Sequence, residues 1–95
     1  MRDNMTGNNT IEHFLLLGTE GCHLCDLAEE VLVSTLSPEL HTVDFVDIAY
    51  DDLLLERYGE QIPVFLHEVS GQALYWPFGK AELTAFLEGV KGALE

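Results

Sequence analysis

Two cysteines stand three residues apart in this chain, in the run Cys22-His23-Leu24-Cys25, and the sequence holds no others. A pair this close closes too small a loop to stabilise a fold through chain entropy. A disulfide-stapled secreted domain carries more cysteines at wider spacing. The spacing suits chemistry instead. At the start of a helix, unpaired N–H groups and the positive end of the dipole face Cys22 and favour its thiolate. Cys25 then lies one turn on and on the same side, able to resolve a mixed disulfide formed at Cys22. Cys22 is the candidate nucleophile and Cys25 the resolving thiol. His23 is either a cation inside the motif that stabilises that thiolate and offsets Glu20, or a solvated helix-start residue with no special role. Two plainer readings stand beside this one: small residues that merely open a helix, or half of a zinc site. His13, His41 and His67 match no finger or ribbon spacing.

The surrounding elements place the pair. Glu12 to Gly18 (EHFLLLG) is a nearly continuous apolar run that suits a strand buried on both faces. Gly18-Thr19-Glu20-Gly21 reads as a loop. From Cys22 the pattern turns helical, with Leu24, Leu27, Ala28, Val31 and Leu32 on one face and Asp26, Glu29 and Glu30 on the other. That helix must stop by Ser37, before Pro38. His41 to Ile48 alternates as a second strand. Asp51 to Tyr58, with acids in its first turn and Gly59 beyond its end, reads as a short helix. Pro63 to Val69 and Gln72 to Trp76 are strands joined by a tight Ser70-Gly71 hairpin. Lys80 to Leu94 is a closing helix. The order β-α-β-α-β-β-α predicts an α/β fold: a mixed four-stranded sheet with helices on both faces.

Other features are weighed the same way. Ile62-Pro63 opens a strand after a loop, either as an ordinary strand-start proline or, in a chain already holding a helix-capping Cys-X-X-Cys, with the expected cis bond. Tyr75-Trp76-Pro77-Phe78 either lines a groove near Gly79 or closes a small core. Asp47, Asp51 and Asp52 have no metal-loop spacing and read as a charge complement to a helix N-terminus. His67 reads as a partly buried strand residue or an edge side chain. Met1 to Ile11 reads as a flexible extension, leaving 12–95 as one domain.

With these residues in view, the chain resembles the glutaredoxins of the thioredoxin-fold superfamily, and especially the short bacterial glutaredoxin-like proteins. The resemblance spans roughly Glu12 to Leu94. It implies a thioredoxin-like fold and dithiol-disulfide exchange through Cys22 and Cys25. It also implies a cis-proline at Pro63 that packs on the sulfurs, backbone near Ile62 left open for a substrate peptide, and a ligand-binding turn at Gly79 and Lys80. Glutathione is then a possible reductant, and no other cofactor or metal is required. Three positions depart from the family. His23-Leu24 stand where Pro-Tyr is usual. Thr19-Glu20-Gly21 stand where a Lys or Arg grips a glutathione carboxylate. Phe78-Gly79-Lys80-Ala81-Glu82 replaces a Gly-Gly-X-Asp stretch.

Composition bounds the partners. The chain has 95 residues, with 17 Asp and Glu against 4 Lys and Arg, for a net charge of -13. Nucleic acid and anionic membrane surfaces need clustered cations, so both are excluded. Its apolar runs are too short to span a bilayer and no secretory signal opens it, so a cytoplasmic monomer is expected. The expected partner is a protein disulfide substrate or a redoxin with a basic face. The alternatives are a non-catalytic thioredoxin-fold module that binds or senses oxidation, and a subunit-bridging iron-sulfur site.

Overall fold

The computed structural model describes residues 11–94, and side chains through residue 90. Apart from Ile11, the expected N-terminal extension lies outside the described residues. The elements run β1 (Glu12–Gly18), α1 (His23–Thr35), β2 (His41–Asp47), a 3-10 turn (Ile48–Tyr50), α2 (Asp52–Tyr58), β3 (Val64–His67), β4 (Ala73–Tyr75) and α3 (Lys80–Leu94). Only the 3-10 turn is new relative to the expected order. The sheet order is β2-β1-β3-β4, with β1 and β2 parallel and the other two pairs antiparallel.

The continuous apolar run of β1 is explained by its place inside this sheet. Phe14 and Leu16 face one side, where they pack with Phe65 of β3, Ala28 and Leu32 of α1, and Leu83 of α3. Leu17 faces the other side with Val64, Ile48 and Tyr58. Helices therefore cover both faces. The rings of Phe14 and Phe65 stack with centroids 4.6 Å apart. Burying two such rings is worth several kcal/mol, a large share of the stability of so small a domain.

Three expectations change. The strands β3 and β4 are shorter than Pro63–Val69 and Gln72–Trp76, because the turn begins earlier than a tight Ser70-Gly71 hairpin would. The Gly71 N–H donates to the His67 carbonyl and the His67 N–H to that of Gln72, each at 2.8 Å. Leu24 is not on the buried face of α1. It is 43% exposed, and the buried line is Cys25, Ala28 and Leu32.

His67 is neither an edge side chain nor partly buried, since none of it is exposed. Ser70 N–H reaches its Nδ1 at 3.3 Å and Ser70 Oγ lies 2.7 Å away. With Nδ1 accepting, the ring proton sits on Nε2 and is donated to Glu12 Oε1 at 2.7 Å. The ring thus ties the start of β1 to the end of β3 and its turn.

The aromatic run is divided. Phe78 is buried and Trp76 packs edge-on against it at 5.1 Å, closing the core, while Tyr75 stays half exposed. The acids of the Asp47–Asp52 stretch act as caps. Asp51 Oδ1 accepts the Leu54 N–H at 3.1 Å, and Asp47 Oδ1 accepts that of Ala49 at 3.0 Å.

Candidate active site

The pair sits where β1 hands the chain to α1. Gly21 takes a φ of +75°, a left-handed turn that suits a residue with no Cβ. The next residue, Cys22, is the extended N-cap of α1, one position outside the helix it was expected to begin. Its Sγ accepts the Cys25 N–H at 3.0 Å, as a capping oxygen would. The two cysteines form a disulfide with Cα atoms 5.2 Å apart. Exposure separates the two sulfurs. Cys25 is 3% exposed and Cys22 only partly buried. His23 and Leu24, between them, are exposed.

A third residue completes the pair's seat. A Cβ added at Gly18, the last residue of β1, would stand 2.5 Å from the Cys25 Sγ and 3.1 Å from the Phe45 ring. Only hydrogen at this position lets the sulfur lie against the strand. Sequence reasoning read Gly18 as a strand terminator and missed this contact. The available signal was a glycine ending a fully apolar strand four residues before the first cysteine.

Against known proteins, the model of the glutaredoxin-like domain (DUF836) matches residues 13–88. The chain belongs to this glutaredoxin-like family. It is also similar to a solved X-ray structure, the structural-genomics target protein XcR50 from X. campestris. The two are 33% identical with a TM-score of 0.71, over 80% of this chain and 96% of that one. Nothing among curated proteins matches the chain. The chain therefore has the thioredoxin-like α/β fold, and its Cys22–Cys25 disulfide supports a thiol redox role.

The remaining candidate residues of this glutaredoxin-like chain sit as follows. The Ile62–Pro63 bond is cis, as is Trp76–Pro77. Pro63 is buried, and its carbonyl accepts the Trp76 N–H at 3.3 Å. Leu17 pairs with Val64 in antiparallel register, so one further step sets Pro63 opposite Gly18, at the end of the sheet where Cys25 rests. Ile62 is partly buried beside it.

Lys80 begins α3 and Gly79 directly precedes it. The Leu83 N–H donates to the Gly79 carbonyl at 3.0 Å, and the Gly79 N–H donates to Glu82 Oε1 at 2.9 Å. This is a helix cap, and that N–H holds the Glu82 carboxyl below the usual carboxylate range. The Gly79 N–H is thus already engaged, while Lys80 lies exposed. Arg57 lies 5.5 Å over the ring of Tyr58. Glu20, which is exposed, stands just before the motif. Among the described residues, no three or more His, Cys, Asp or Glu side chains are grouped to hold a metal ion.

Proposed function

We propose that this glutaredoxin-like protein is a dithiol-disulfide oxidoreductase acting on protein disulfides. In the reduced pair, the Cys22 thiolate attacks one sulfur of the substrate disulfide. A mixed disulfide forms and one substrate thiolate leaves. The Cys25 thiolate then attacks Cys22 Sγ, which closes the Cys22–Cys25 disulfide and releases the second substrate thiol. Two electrons pass to the substrate, and a dithiol redoxin returns them to the pair by the reverse exchange.

The observation that carries this reading is the difference between the sulfurs. Cys22 is accessible and accepts a backbone N–H at the helix start, while Cys25 is buried behind it within bonding distance. The N–H groups favour charge on Cys22 once the pair is reduced. His23 tunes that charge, and the backbone before Pro63 receives the substrate peptide. Glu20 before the motif and the Gly79 N–H already engaged by Glu82 favour a redoxin over anionic glutathione as reductant.

The test is the pH profile of Cys22 alkylation in the reduced protein carrying Cys25→Ser. The midpoint is expected below ~8.5, the value of a free thiol, and His23→Ala should raise it. A midpoint at or above that value would favour the non-catalytic module.

A further inference from the structure

A cavity lies away from the turn at Gly79, which is not among its lining residues. It is an apolar groove of about 510 Å³ between α1 and β2, lined by Glu29, Leu32, Val33 and Leu36 on one side and Val43 and Phe45 on the other. Val33 is 82% exposed and Phe45 45% exposed, so the groove opens to solvent. Among the described residues, β2 pairs only with β1, and its outer backbone edge is unpaired. Such an edge accepts an added strand.

Two observations identify what would lie there. The first is charge. No Lys or Arg lines the groove, Glu29 does, and the exposed Asp44 alternates with Val43 and Phe45 along β2. The whole chain carries -13. An acidic segment would be repelled, whereas an added strand that alternates apolar side chains with cations would set the first against the lining and the second on the Asp44 face. A second copy of the chain brings the same acids to the same edge and is disfavoured for that reason. The second observation is continuity with the redox pair. The Phe45 ring that lines the groove also packs at Gly18, the residue on which the Cys25 sulfur rests. A segment lying along β2 therefore leads to the disulfide.

We infer that the groove between α1 and β2 docks an extended basic-apolar segment of the substrate protein and delivers its disulfide to Cys22. This rests on the dithiol exchange proposed above for the identity of the occupant. Phe45 and Val33 are then specificity-determining residues, with no part in the exchange itself.

The docking test uses two cysteine-free fluorescent peptides, one alternating Leu with Lys and the other Leu with Glu, with binding read by anisotropy on the oxidised full chain. The Leu-Lys peptide should bind at least about tenfold more tightly at low salt, with an advantage that shrinks as ionic strength rises. Val33→Ser, which removes apolar contact without changing charge, should weaken that binding roughly tenfold. Val69→Ser, an equally simple change at another exposed valine, should leave it unaltered. Equal binding of the two peptides, or equal effects of the two serine variants, would overturn the proposal.

A second arm gives each peptide a disulfide and compares its reduction with that of 2-hydroxyethyl disulfide. A roughly tenfold higher kcat/KM for the Leu-Lys peptide than for the Leu-Glu peptide is expected. Reduction of the small disulfide with no difference between peptides would refute the docking alone. Failure to reduce any of the three would refute the exchange reading, and with it the claim that the occupant is a substrate.

Discussion

The sulfur of Cys25 lies against Gly18, so close that a Cβ at Gly18 would stand 2.5 Å from it. Cys25 is thereby held by the sheet itself, at the end of β1, and not only by the helix that carries it. Gly18→Ala must displace either the sulfur or the Phe45 ring. The expected cost is about 1–3 kcal/mol in the oxidised protein, the usual range for overpacking. In the reduced protein the Cys25 side chain is free to rotate, so the loss should be smaller. Thermal melts of both redox forms check this. An oxidised variant that melts with the parent would show that the contact does not constrain the pair.

His67 joins three segments through two hydrogen bonds of 2.7 Å, and it does so without exposure to solvent. His67→Leu keeps much of the volume and leaves Glu12 and Ser70 without their partner. A loss of about 1–3 kcal/mol in denaturant unfolding is expected. Ser70→Ala, which removes one of the two links, should cost less. Unchanged stability in His67→Leu would mean that the buried network contributes nothing net.

Titration gives a signed prediction at His41. Its ring accepts the Ser37 N–H at 3.0 Å, and burial lowers its pKa below 6.5, against the opposing pull of Glu12. Because the folded state resists protonation, unfolding takes up a proton in this window. The contribution is fully present above the unfolded value of ~6.5 and declines as pH falls from there through the lowered folded value. Denaturant midpoints at pH 7.5 and pH 5.5 should therefore differ more in the parent than in His41→Gln. An identical difference in the two proteins would contradict this.

How far the sequence exposed this arrangement depended on whether the cause was local. The apolar run of β1, the helical spacing of α1 and the Cys22–Cys25 pair depend on neighbours in the chain, and all are readable there. The capping residues are nearly so. Gly79 and Glu82 stand at the spacing of a capping box, although family resemblance pointed to a ligand site at the same place. The misreadings concern partners distant in sequence. Nothing near His67 announces that Glu12 will meet it, and nothing near Gly18 announces Cys25 and Phe45 as neighbours. Leu24 follows the helical period, yet the neighbouring elements cover a line through Cys25 instead. Phe45 alternates correctly with its strand, and its partial exposure follows from β2 lying at the sheet edge.

Dithiol exchange requires unequal roles for the two sulfurs, and one measurement separates them. The measurement is single-turnover exchange between the reduced protein and a disulfide-bonded protein substrate, followed by mass spectrometry of the intact chain. The parent should end with its own Cys22–Cys25 disulfide and a substrate reduced by two electrons. Cys25→Ser should stop as a mixed disulfide on Cys22, and Cys22→Ser should be inert on the same timescale. Exchange by Cys22→Ser at the parental rate, or no mixed disulfide with Cys25→Ser, would contradict the assignment of Cys22 as nucleophile and Cys25 as resolving thiol.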